Sequence, residues 1–251
     1  MLQFESPVLA RVALRPTLIY LTLDTSYLTN PPVAGQFFMS RCRGVYLRRP
    51  LFPSHIEAER IAALLPIGED LGLTWLAARQ VGEHVDLIGP LGCGFALDGP
   101  AGNLLLVGWG RGLASLLALA EEALRADWKV SLLAAFERPG MSVPTMLLPP
   151  AIEYQKAIGS AALDDLEVLL REAIPWADRV CAAGGGALYP LLASVIEELR
   201  LGLRPGLAQV LVEVPMVCGM GVCGACAVRT HRGMRQACHH GPVFDLAELV
   251  I

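Results

Sequence analysis

At 251 residues, 54% hydrophobic and 18% charged, the chain is long enough for two domains and a small third, and its few charges leave apolar surface for a partner to cover. A net charge of −4 argues against nucleic acid as a partner. The longest uncharged stretch, Val180 to Ile196, is broken by Gly184, Gly185, Gly186 and Pro190, so no membrane span is expected, and free cysteines behind an N-terminus without a charged-then-apolar leader point to the cytoplasm.

The first hundred residues read as all-β. Val8 to Leu14, Thr17 to Leu23 and Val85 to Ile88 are β-rich apolar runs separated by turn signals at Asn30-Pro31-Pro32, Gly35, Pro50 and Gly72, which suits a barrel of short strands over residues 1–98. The pattern changes at Asp98-Gly99-Pro100. Strands are expected at Asn103 to Val107, Val130 to Ala135 and Arg179 to Ala183. Helices are expected at Leu113 to Leu124, Asp164 to Glu172 and Pro190 to Arg200, with Arg138 to Pro150 a Pro- and Met-rich loop. That alternation predicts an α/β layered domain over residues 99–208. Gln209 to Val214 then opens a small lobe, residues 209–251, in which Leu211-Val212-Glu213 leads into a cysteine loop and Ala227 to Arg229 returns as its partner. The fold class is therefore multidomain α+β.

Cys218, Cys223, Cys226 and Cys238 follow C-x4-C-x2-C with a fourth cysteine eleven residues on, the plant-type spacing for a [2Fe–2S] cluster. Gly219, Gly221 and Gly224 let the loop wrap tightly enough for its backbone to reach the sulfurs. Zinc and a disulfide framework compete. Zinc usually brings two close Cys/His pairs, of which only Cys223 and Cys226 form one, and seven cysteines is an odd number for disulfides. His239 and His240 adjoin the last cysteine but are not needed as ligands. Cys42, Cys93 and Cys181 read as small core residues.

Two further features suit a nucleotide. Arg48-Arg49-Pro50 ends an apolar run, where a guanidinium could hold a diphosphate. Gly108, Gly110 and Gly112 lie in a strand-to-helix turn that could carry a pyrophosphate, although no acidic residue stands about twenty positions on.

Taken together, Gly35-Gln36-Phe37, Arg48-Arg49-Pro50, Gly82-Glu83, the run Gly89 to Phe95, the turn at Gly108, the run Met216 to Cys226, and Cys238 with Gly241-Pro242-Val243-Phe244 resemble the electron-transfer subunits of dihydroorotate dehydrogenase B, which are ferredoxin-reductase-like flavoproteins. The resemblance implies an oxidoreductase component with an FAD barrel, a nicotinamide-binding α/β domain and a [2Fe–2S] lobe. Electrons would pass from the FMN of a catalytic partner subunit through the cluster and FAD to NAD, in a heterotetramer of two plus two subunits. It also implies flavin contacts at Arg49, Pro50, Leu51 and Phe52, at Leu65, Pro66 and Ile67, and at Gly72 and Leu73, with dinucleotide contacts at Gly108, Gly110 and Gly112.

The departures bear on those contacts. The family's flavin-motif serine falls on Phe52, with Ser54 nearby, and its Gly-Thr contact falls on Gly72-Leu73, with Thr74 one place later. Trp109 and Arg111 occupy the dinucleotide turn, and the family's Cys-Gly-Pro reads Ala183-Gly184-Gly185. Weak NAD binding is expected, and an electron-carrier adaptor without an efficient nicotinamide reaction is the alternative function. Met216, Met220 and Met234 flank the cysteines, either to pack against a partner or only to shield the cluster.

Overall fold

The structure, a computed structural model, describes residues 2–68 and 70–251, so that Met1 of the expected barrel lies outside the described residues. The N-terminal part contains β1 (Leu2–Arg15), β2 (Leu18–Asp24), β3 (Phe37–Ser40), β4 (Arg49–Leu51), β5 (His55–Ile56), β6 (Arg60–Pro66), the short helix α1 (Leu71–Ala77) and β7 (His84–Leu91). These strands form one seven-stranded antiparallel sheet ordered β4-β3-β7-β1-β2-β6-β5. Alternation sets its inner face: Ile19, Leu21 and Leu23 of β2 and Val85 and Leu87 of β7 point inward and pack with Phe38, Leu51 and Leu65.

The second layer begins with β8 (Asn103–Trp109), α2 (Leu113–Arg125), β9 (Lys129–Phe136), β10 (Glu153–Ile158), α3 (Ala162–Ala173), β11 (Arg179–Gly184), α4 (Leu188–Arg200) and β12 (Ala208–Val212). The chain then makes the hairpin β13 (Ala227–Thr230) and β14 (Gly233–Gln236), the turn-length helix α5 (Ala237–His240) and β15 (Val243–Asp245). The sheet order β10-β9-β8-β11-β12-β15 is parallel except for the last pair. Helices cover both faces, with Leu166, Leu170 and Leu192 on one side and Leu116, Leu117 and Ala120 on the other. The interiors of β8, β9 and β11 are continuously buried, as expected of parallel strands covered on both sides. Strand order reverses between β8 and β11, so the crevice at their C-terminal ends is where an open α/β sheet binds ligands. Among the described residues no helix is long and apolar enough to cross a membrane.

Several local expectations change. The segment read as a loop from Arg138 carries 3-10 turns at Pro139–Met141 and Thr145–Leu147. The edge strand β10 follows it unannounced, because most of its side chains are polar and outside the core. The strand expected to open the third lobe, β12, lies inside the α/β sheet between β11 and β15. The returning segment β13 pairs with β14 rather than with β12. An apolar strand such as β12 is buried best at an internal sheet position, whereas the exposed, polar β13 needs only a hairpin partner. Cys42 and Cys181 are buried as expected, but Cys93 is exposed, in the turn that pairs backbone with Gly241.

The two layers are held by specific contacts. Arg179 donates to the carbonyls of Ala96 and Asp98 at 2.7 and 2.8 Å, which pins the linker after β7. On the other side His55 of β5 lies between Glu121 of α2 at 2.7 Å and Glu57 at 2.9 Å. Its hydrogen bond to Glu121 raises its pKa to about 9 against the opposing effect of burial, with Glu57 assisting. A raised pKa means that the stabilisation is complete below the ordinary histidine value of 6.5 and is lost as pH climbs through about 9. His55→Ala is therefore expected to lower the melting temperature by about 2–4 °C at pH 7, corresponding to about 1 kcal/mol for a part-exposed pair. At about pH 10.5 the same comparison should give little difference. A deficit of equal size at both pH values would mean that packing, not the charged clasp, carries the effect.

Candidate metal centre and adjoining groove

The cysteine loop leaves the sheet after β12. Gly219, Gly221 and Gly224 adopt φ of 73°, 75° and 72°, a region that L side chains avoid. Space excludes side chains as well: a Cβ on Gly219 would stand 2.5 Å from Met39 Cγ, and one on Gly221 would stand 3.1 Å from His239 Cβ. The loop is thereby folded with its amides turned toward sulfur. The Met220 N–H donates to Cys218 Sγ at 3.4 Å and the Gly221 N–H to Cys238 Sγ at 3.1 Å. Cys226 and Cys238 are buried with their sulfurs 3.3 Å apart, while Cys223 is exposed.

The thiols form two pairs, Cys218 with Cys223 and Cys226 with Cys238. Among the described residues no three His, Cys, Asp or Glu side chains converge as a single ion would require. A [2Fe–2S] cluster asks for four thiolates, two to each iron, and this donor set fits it. The electrostatics differ between the pairs. Burial pushes Cys218 up, but backbone N–H bonds from Met220, Cys223 and Val222 outweigh it and bring the thiol to about 6. Burial pushes Cys238 up to about 12, reinforced by its bond to Cys226.

Beside this loop, between the two layers, lies a groove of about 410 Å³. Of the residues expected to hold a flavin, Arg49, Pro50, Leu51, Phe52, Leu65, Pro66 and Leu73 line it, and Ile67 lines an adjoining cavity of about 380 Å³ that shares Leu64, Pro66, Arg111 and Ala114. Gly72 lies beneath Arg49, where a Cβ would come within 2.8 Å of Arg49 Cγ. The dinucleotide-turn glycines separate. Gly108 is a packing residue under Leu113, Gly110 lines the adjoining cavity, and Gly112 lines the groove while pressed on the Ala183–Gly184 backbone. Ser54 does not replace the missing motif serine: it is buried and donates to the Ala62 carbonyl at 3.2 Å. Phe52 packs against Phe37 with ring centroids 5.5 Å apart. Thr74 accepts from the Gly68 N–H at 3.0 Å and so braces the loop before α1.

Sequence reasoning missed other residues of the groove. Asp70 pairs with Arg49 at 2.8 Å and caps α1 through the Leu73 N–H at 2.8 Å, and an Asp one residue before a helical run is a legible capping signal. Glu213 and Met216 line the groove from the segment that joins β12 to Cys218. Burial raises the Glu213 carboxyl above the usual range, opposed by Arg111. An apolar floor of Leu51, Leu64, Leu65 and Met216 with a guanidinium at one end fits a flavin nucleotide. Trp109 stands at the switch point: a Cβ on Gly184 would lie 2.5 Å from Trp109 Cβ, and one on Gly185 would lie 3.4 Å from its ring. Trp109 thus packs against the Gly184–Gly185 turn at the end of β11.

The comparisons agree with this geometry. A family model described as the iron–sulfur cluster binding domain of dihydroorotate dehydrogenase B matches residues 213–250. The dihydroorotate dehydrogenase B (NAD(+)) electron transfer subunit of Bacillus caldolyticus is 30% identical, with 92% of each chain covered. The subunit of the same name from Desulforamulus reducens is 27% identical, with 98% of each covered. Among solved structures, that of an NADH-dependent reduced ferredoxin–NADP oxidoreductase superposes with a TM-score of 0.81 at 20% identity, over 98% of this chain and 89% of that one.

Replacing Cys223 by Ser is expected to bring iron from about two atoms per chain to near zero and to abolish the visible colour. Cys93→Ser, also at an exposed cysteine, should retain both. Equal iron in the two variants, measured by metal analysis after anaerobic purification, would remove Cys223 from the ligand set.

Proposed function

Because this chain belongs to the family of dihydroorotate dehydrogenase B electron-transfer subunits, we propose that it carries electrons from the FMN of a dihydroorotate dehydrogenase catalytic subunit to NAD, by way of a [2Fe–2S] cluster and FAD, in pyrimidine biosynthesis. It does not oxidise dihydroorotate alone. In this reading residues 1–98 hold FAD, 99–208 meet NAD and 209–251 hold the cluster, within a cytoplasmic assembly of two copies of each subunit. The cluster supplies single-electron exchange and the flavin supplies its conversion to the hydride that a nicotinamide accepts.

One observation carries the proposal: the segment Glu213 to Met216 lines the flavin groove, and Cys218, the first cluster ligand, follows two residues later. A single short stretch thus joins the two cofactor positions. The chain's own residues do the rest. Arg49 would hold the flavin phosphates, Leu51, Leu64 and Leu65 would exclude water from the ring, and Cys218, Cys223, Cys226 and Cys238 would hold the cluster. Met220 and Val222, 46% and 82% exposed on the cysteine loop, offer an apolar surface over the cluster to the catalytic subunit.

Trp109 favours a second reading in which electrons reach a different acceptor and the nicotinamide reaction is slow. Co-expression with the catalytic subunit tests both. A complex containing FMN, FAD and iron, with FAD reduced on adding dihydroorotate, is expected. Two separate proteins with no electron transfer between them would refute the proposal. Mixing the complex with NADH should then reduce the flavin slowly, with half-saturation at about 0.1–1 mM, and Trp109→Gly should tighten that value. Rapid saturation at low micromolar NADH in the unaltered protein would dispose of the second reading.

A further inference from the structure

Arg49, the guanidinium assigned to the flavin phosphates, is already paired with an anion from its own chain. Its Nε donates to both oxygens of Asp70, at 3.0 and 2.8 Å, and its Nη1 donates to the Leu47 carbonyl at 2.8 Å. The Asp70 carboxylate in turn accepts from the Leu73 N–H at 2.8 Å. Gly72 beneath the pair makes room for it, since a Cβ there would lie 2.8 Å from Arg49 Cγ and 3.1 Å from Asp70 Oδ1. Both side chains line the mouth of the groove, 25% and 30% exposed. Burial pushes the Asp70 carboxyl up, but hydrogen bonds from Leu73, Arg49 and Gly72 hold it below the usual carboxylate range, which favours the ionised form.

A carboxylate presents two oxygens to a guanidinium much as a phosphate does. A flavin diphosphate reaching Arg49 therefore meets a negative charge in the position it needs. It must lie against that charge or displace it, and both oppose binding. We propose that Asp70 is an internal occupant of the flavin phosphate position, and that flavin nucleotides bind by exchange with it. The ligand class is a flavin bearing a phosphate or diphosphate, and riboflavin, which carries neither, is indifferent to Asp70. The exchange lowers the affinity for the flavin, and Asp70 sets by how much. The proposal rests on Arg49 contacting the flavin phosphates.

The test is a fluorescence titration of the full-length, cluster-loaded, flavin-depleted protein with FAD and, separately, with riboflavin. Asp70→Asn keeps a side-chain oxygen to cap α1, so the fold is preserved, while the charge is removed. FAD is expected to bind Asp70→Asn about fivefold more tightly than the unaltered protein, the size of a part-exposed charge contact, with riboflavin unchanged. Arg49→Ala should weaken FAD by tenfold or more in both backgrounds and leave riboflavin unchanged. If Asp70→Asn leaves FAD affinity the same or weaker while Arg49→Ala weakens it, the internal-occupant proposal is overturned and Arg49 keeps its role. If Arg49→Ala has no effect on FAD, the phosphate assignment fails and the proposal falls with it.

Discussion

The close approach of backbone N–H groups to cysteine sulfur governs the C-terminal lobe of this protein. Four thiols must meet within a few ångströms, and amides must turn toward them to stabilise the charge that collects there. That is possible only where the chain can enter the left-handed region without a side chain in the way, as at Gly219 and Gly221. Both constraints act at once, because Met39 and Leu91 of the barrel pack against one glycine and His239 against the other. The loop is thus tied to the rest of the molecule by the same residues that shape the cluster position.

The consequences run outward from that loop. Its leading strand is an internal member of the α/β sheet, and its exit returns to the sheet edge as β15. The lobe therefore grows out of the sheet between two of its strands, which aligns it with the groove. The groove lies between the layers, and the linker bonds of Arg179 and the His55 clasp fix the distance between its walls. The same architecture supplies a crevice at the strand-order reversal, and Trp109 packs against Gly184 there.

Much of this was legible in the sequence, for physical reasons. The cysteine spacing is set by ligand geometry, so it survives as a pattern. Buried parallel strands such as β8 and β11 are short apolar runs that end in glycine-containing turns. What escaped had no local signature. The edge strand β10 is held by pairing with β9 rather than by hydrophobicity. That β12 belongs to the large sheet depends on its neighbours β11 and β15. The roles of Gly108, Gly110 and Gly112, equivalent as a motif, separate only through what each touches. The Arg49–Asp70 pair joins residues 21 apart in sequence, and only folding brings them together.

The central claim is that one chain holds a one-electron cluster beside a two-electron flavin. Reductive titration of the anaerobically purified protein, followed by visible absorbance, tests it directly. The account predicts uptake of about three electron equivalents per chain, one for the cluster and two for the flavin. A colourless protein that carries zinc and takes up no electrons would contradict it.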